Sequence, residues 1–120
     1  MKQWSMFIGR WQPWHKGHRW LIDQRLNEGK NVWIAVRDVE KSEKQPWSSH
    51  EVFMNLQKEL REFIEEGRVM ISIIPDIESI NYGRGVGYDI IEHIPPKNIK
   101  EISATKIRKQ MREDGILTKD

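Results

Sequence analysis

The sequence contains no cysteine. That excludes disulfides, thiolate zinc sites and a cysteine nucleophile, and it fits a cytoplasmic protein. Long apolar runs are missing too. Nothing approaches the roughly 20 consecutive apolar residues that a bilayer crossing needs, so no membrane span is expected. The first ten residues, Met1–Arg10, carry too short an apolar run for a signal peptide. Excess charge of one sign is also absent. Twenty Lys and Arg stand against eighteen Asp and Glu, for a net charge of +2. Such balance does not suit a protein whose main task is to coat nucleic acid. No internal repeat and no low-complexity tract is visible.

What is present is one domain's worth of chain, 120 residues with 38% hydrophobic and 32% charged side chains. The expected organisation is a single domain over 1–120. Its apolar residues fall into compact runs, unlike those of a disordered chain. All six tryptophans, Trp4, Trp11, Trp14, Trp20, Trp33 and Trp47, lie in the first 47 residues. They read as core and flank packing, with one or two suited to line a pocket for a flat ring.

The order of elements is legible from the pattern of apolar residues. Trp4 to Ile8 reads as a buried strand ending at Gly9. A Gly- and Pro-containing loop to His15 leads into a helix from Lys16 to Asn27, stopped by Gly29. Val32 to Val36 is a second strand, followed by a charged loop to Trp47. Ser48 or Ser49 caps the next helix, with Glu51 in its first turn, and this helix runs to about Glu66. Val69 to Ile74 is a third strand, closed by Pro75. A long loop runs from Asp76 to Gly87. A short helix is expected over Tyr88–Glu92, a short strand over Ile99–Ile102 and a last helix from Ser103 or Ala104 to Arg112. Strands alternating with helices predict a Rossmann-like three-layer α/β/α fold with a short parallel sheet and helices on both faces. Ligands bind such sheets beyond the carboxyl ends of the strands. The loops there are Gly9–His15, Arg37–Trp47 and Pro75–Gly87, and they hold the sequence's unusual residues.

The densest cluster is Gly9-Arg10-Trp11-Gln12-Pro13-Trp14-His15-Lys16-Gly17-His18. It follows a strand and opens a helix. Free amides and the helix dipole attract anions at such a place, and imidazoles added there donate hydrogen bonds to phosphate oxygens. Gly17, between the two histidines, permits close approach of a ligand to the backbone. A zinc site lacks further ligands, because His50 and His93 are remote in sequence and no Cys exists.

This cluster resembles the His-x-Gly-His signature of the nucleotidyltransferase superfamily. Ile102-Ser103-Ala104-Thr105-Lys106-Ile107-Arg108 resembles the superfamily's second signature, Ile-Ser-x-Thr-x-Ile-Arg. The resemblance extends from about Met6 to Met111. The Gly-Arg-aromatic-Gln-Pro form of the first signature is most like nicotinamide mononucleotide adenylyltransferases of the archaeal type. Lys44-Gln45-Pro46-Trp47-Ser48-Ser49 resembles that group's Lys-Asn-Pro-Phe-Thr-Thr segment, and Ile74-Pro75-Asp76-Ile77 resembles its Ile-Pro-Asp-Ile segment. The chain departs from the group between Asp76 and Ser103. No full fourth strand is legible there, and Asn81-Tyr82-Gly83-Arg84-Gly85-Val86-Gly87-Tyr88 stands in its place.

The resemblance implies transfer of a nucleoside monophosphate from a triphosphate to a phosphorylated acceptor, with release of pyrophosphate. It assigns His15, His18, Arg108 and Lys16 to catalysis. Gly9, Arg10, Trp11, Gly17, Ser103, Ala104 and Thr105 are assigned to the nucleotide. Arg37, Lys44, Trp47, Asp76, Tyr82 and Arg84 are the candidates for the acceptor. Mg²⁺ enters on the triphosphate, with no dedicated protein ligands. Arg10 and Gln12 favour ATP over CTP, because cytidylyltransferases of the superfamily usually carry Phe-Asp where this chain has Trp11-Gln12. A homo-oligomer is expected by resemblance. The alternatives are a cytidylyltransferase making a CDP-linked sugar or polyol, a non-catalytic nucleotide-binding module, and a nucleic-acid binder using the Trp-rich half, which the near-neutral charge opposes.

Overall fold

Three largely apolar segments form the sheet, the second and third rich in Val and Ile. In the computed structural model, which describes residues 1–117, they are β1 (Trp4–Gly9), β2 (Asn31–Asp38) and β3 (Val69–Pro75). All pairings are parallel and the order is β1-β2-β3. The register sets Phe7 beside Ile34 and Ile34 beside Ile71. Two helical crossovers join the strands. Helix α1 (Lys16–Leu26) links β1 to β2, and α2 (Ser49–Glu59) with α3 (Arg61–Glu65) links β2 to β3.

One buried cluster holds these layers together. Ile22 and Leu26 of α1, Val52 and Leu56 of α2, and Leu60 meet Val32, Ile34, Val36, Val69 and Ile71 of the sheet. Full burial of each such side chain contributes about 1.5–3 kcal/mol. Ser48 caps α2 in a reciprocal box with Glu51, as the sequence predicts.

The Rossmann-like α/β reading holds, with differences of detail. The sequence reading expects helices on both faces of the sheet, but α1 and α2 join the same cluster on one face. Strands laid down in one direction by right-handed crossovers put successive helices on the same side. On the other side Met6, Trp33 and Met70 stand in register, with Met6 and Met70 exposed.

The expected long second helix bends at Leu60, whose φ of −116° leaves the helical range while its side chain is fully buried. The expected strand over Ile99–Ile102 is instead a helical turn, α4 (Lys97–Lys100). Its two isoleucines are three apart, which places them on one side of a helical turn but on opposite faces of a strand. The Ile102 amide donates back to the Ile99 carbonyl. The helix expected over Tyr88–Glu92 does not form, and residues 76–96 carry no regular element. Gly85 and Gly87 hold positive φ there, and most of the segment's side chains are exposed. The final helix, α5 (Ala104–Glu113), falls where the sequence places it. No helix among the described residues is long and apolar enough to cross a membrane.

Truncation of a core residue tests this packing. Leu56→Ala should lose about 2–5 kcal/mol in denaturant unfolding. Met54→Ala, on the exposed side of the same helix, should stay within about 0.5 kcal/mol of the parent.

Candidate active site

The first turn of α1 is capped by imidazoles. His15 takes the N-cap position in an extended conformation, and its Nδ1 accepts from the amides of Gly17 at 3.0 Å and His18 at 3.4 Å. His18 answers, its Nδ1 accepting from the His15 amide at 3.2 Å. The two rings stack with centroids 3.7 Å apart and planes 18° apart. Because each Nδ1 serves as an acceptor, the proton of each neutral ring sits on Nε2, on the side away from the cap.

The surroundings keep both rings neutral. Burial lowers the pKa of His15, and burial followed by the charge of His15 pushes His18 down to about 3. Trp11 meets the His18 ring edge-on at 4.8 Å, and Trp14 lies 5.5 Å from it. A ligand phosphate at this turn therefore meets N–H donors without a like-charge pair having to be held together.

Two glycines make room for this arrangement. A Cβ at Gly17 would stand 2.8 Å from His15 Cε1, and a Cβ at Gly9 would stand 3.0 Å from the Trp11 ring. Trp11 is 5% exposed, lies at φ 53°, and donates its indole N–H to the Ala35 carbonyl. This left-handed conformation is unusual for a bulky residue, and burial with the indole hydrogen bond holds it. Trp11 thus supports the His18 ring from within the core.

Helix α5 delivers the second motif to the same place. Helix α4 packs against α1, with the Ile99 carbonyl 3.8 Å from the Gly17 Cβ position. Ser103 then caps α5, its hydroxyl accepting from the Lys106 amide. Arg108, 8% exposed, donates to the Gln12 carbonyl and to Thr105 Oγ1. Desolvation, then the charges of Arg112 and Arg10, lower its pKa; a guanidinium remains charged regardless. Arg10, Lys16 and Thr105 are exposed, with Ala104 between the Ser103 cap and Thr105. His15, Gly17 and His18 share the cap of α1, Ser103, Thr105 and Arg108 share the first turns of α5, and the bond from Arg108 to the Gln12 carbonyl joins the two segments.

Of the acceptor candidates, Arg37 and Asp76 meet each other. Arg37 is committed to Asp76 in a 2.8 Å ion pair and also donates to the Ile77 carbonyl. These two were expected to serve a ligand independently; they neutralise each other and tie the ends of β2 and β3. Lys44 is exposed beside a tight turn in which Ser42 and Gln45 exchange backbone hydrogen bonds. Trp47 packs against the core cluster. Tyr82, 63% exposed, and Arg84 lie in the irregular segment 76–96.

One residue that sequence reasoning missed is Gln12. It is 4% exposed, and its side chain spans to the Trp47 backbone, Nε2 donating to the carbonyl at 2.8 Å while Oε1 accepts from the amide at 3.1 Å. No local signal reveals a partner 35 residues away that is main chain.

The fold is Rossmann-like, and the two motifs open helices α1 and α5. No family model matches the chain. It is similar to a nicotinamide-nucleotide adenylyltransferase of Caldivirga maquilingensis, 31% identical over 115 residues that cover 93% of this chain. The chain spans 63% of that protein's length. Proteins of the same name from Methanococcus aeolicus and Methanococcus vannielii are 28% and 25% identical over 131 residues, covering 89% of this chain and 76% of each. Because 131 positions take in only 89% of a 120-residue chain, those proteins carry residues inside the matched region that have no counterpart here. The chain is thus similar to these three proteins over most of its own length, and it is shorter than the Methanococcus proteins over the matched region.

The depressed pKa of His18 has a consequence for stability. The ring is neutral in the fold, whereas its counterpart in the unfolded chain binds a proton near the ordinary value of 6.5. The contribution of the neutral ring is therefore full above pH 6.5 and is lost as pH falls from there toward about 3. Above about pH 5 ordinary carboxylates stay ionised, so thermal melts between pH 6.5 and that point isolate the histidines. The melting temperature should fall with pH across this window. His18→Gln should flatten the profile, and an unchanged slope in that variant would refute the assignment.

Proposed function

We propose that the chain is an adenylyltransferase. It moves AMP from ATP to a phosphorylated acceptor, releases pyrophosphate, and works as a cytoplasmic homo-oligomer. The observation that carries this is the stacked pair His15–His18, with both Nε2–H groups turned away from the helix cap and Arg108 held nearby by Gln12. Three relatives named nicotinamide-nucleotide adenylyltransferase support the reaction type. Their name makes nicotinamide mononucleotide the first acceptor to test.

In the proposed reaction an acceptor phosphate oxygen attacks the α-phosphorus and a new P–O bond forms. The bond from that phosphorus to the bridging oxygen breaks, and its electron pair leaves with pyrophosphate. Positioning and charge stabilisation do most of the work in such a transfer. His15 and His18 donate from Nε2 to the α-phosphate oxygens as negative charge gathers on them. The Lys16–Gly17 turn adds helix amides and the Lys16 ammonium. Ser103 and Thr105, with the amides of Ala104 and Thr105 at the start of α5, bind the β- and γ-phosphates. Arg10 and Arg108 balance their charge.

Among the described residues no group of three or more His, Asp or Glu is placed to hold a metal ion. Mg²⁺ would enter on the triphosphate and water, where it would neutralise phosphate charge.

The test is pyrophosphate release in Mg²⁺, with ATP and CTP crossed against nicotinamide mononucleotide and other phosphorylated metabolites. Turnover should require ATP and one acceptor. His15→Asn is the informative variant, because asparagine is among the best N-cap residues and so keeps the cap while removing the stacked ring and its outward donor. It should retain the fold and lose about 10²–10³ in kcat/KM. Tight triphosphate binding without turnover on any acceptor would instead favour a non-catalytic nucleotide-binding module.

A further inference from the structure

Three ligand-side segments meet at Gln12. The first is its own loop, between β1 and α1, which carries His15. The second is the loop from Val39 to Trp47, held at its end by the double hydrogen bond from the Gln12 side chain. The third is α5, whose Arg108 donates to the Gln12 backbone carbonyl. Side chain and main chain of one buried residue thus serve different partners.

We infer that Gln12 is a positioning residue that sets the Lys44–Trp47 loop against the triphosphate-binding turn, and so governs use of the acceptor. The second half of this statement rests on the adenylyl-transfer reading above. The geometry is specific. Gln12 presents one donor and one acceptor, and Trp47 presents one acceptor and one donor, so the amide side chain pairs with the peptide backbone as a neighbouring strand would. Few other side-chain contacts fix this loop. Arg112 of α5 donates to the Glu43 carbonyl and Lys41 stands 3.5 Å from Glu51, both on the exposed surface. Ser49 at the start of α2 donates to Asp38 at 2.7 Å, which fixes the residues outside the loop but not its tip. The pair from Gln12 is the hydrogen-bonded restraint on the loop's inner end, beside the packing of Trp47 against the core.

The separation of roles makes the inference testable. Gln12→Met keeps the length and most of the volume of the side chain and loses both hydrogen bonds. The carbonyl that Arg108 uses remains. Gln12→Ala serves as the second variant, and melting curves report whether each folds. Hydrogen exchange of segment 39–50, measured on the full chain without ligand, should rise about tenfold in Gln12→Met, the size expected for the loss of one or two net hydrogen bonds. Exchange in β2 should stay unchanged. In steady-state assays the KM for the acceptor should rise by about tenfold or more while the KM for the triphosphate stays within about twofold.

Unchanged exchange over 39–50 would overturn the inference. So would a rise in the triphosphate KM with the acceptor KM unmoved. A parent chain that turns over no acceptor would remove the adenylyl-transfer reading, and exchange alone would then decide whether Gln12 holds the loop.

Discussion

The rest of the site depends on a helix N-terminus that has to be capped, and on the choice of imidazoles to cap it. An aspartate or serine would satisfy the same amides. A histidine does so with one ring nitrogen and keeps the other as a donor on the opposite side. The reciprocal cap of His15 and His18 therefore fixes the tautomer, the ring orientation and the direction of two hydrogen-bond donors by one set of backbone contacts. Gly17 follows from it, since the His15 ring lies where a Cβ would be. Gly9 and the left-handed Trp11 follow in turn, because the indole that supports His18 needs the space above Gly9.

Neutrality of the rings is part of the same arrangement. Two stacked imidazoles 3.7 Å apart could not both be protonated without strong repulsion. Burial against Trp11 and Trp14 removes that difficulty and leaves positive charge to Arg10, Lys16 and Arg108, which flank the stack. Donors and charges are thus supplied by different residues. The two donors are neutral and held by the backbone, while the cations are the exposed Arg10 and Lys16 and the buried Arg108.

Much of this was legible in the sequence because its signals are local. A strand, a Gly-containing turn and a helix start within residues 4–18 place the histidines without knowledge of anything distant. The Ser103 cap and the Arg108 position one turn later are likewise local. What escaped the sequence involves pairs far apart in the chain. Arg37 reads as a free cation until Asp76, 39 residues on, is seen beside it. Gln12 reads as a marker of nucleotide type until the Trp47 backbone is seen against it. The Ile99–Ile102 turn was misread because a four-residue apolar segment has no period long enough to distinguish strand from helix. The expected helix at Tyr88–Glu92 failed because that segment is short, follows two positive-φ glycines and packs little of its length against the core.

The order β1-β2-β3 bears on how the molecule assembles in time. Each strand pairs with the strand next in sequence, so the sheet grows by adding one crossover unit to the last. No later strand has to travel back to β1. Such near-neighbour topology keeps loop closures short and favours rapid folding. The contact between Arg108 and Gln12, by contrast, closes a loop of 96 residues. No residue of α5 belongs to the buried hydrophobic cluster, so this long closure adds to a framework that the three strands with α1 and α2 form among themselves.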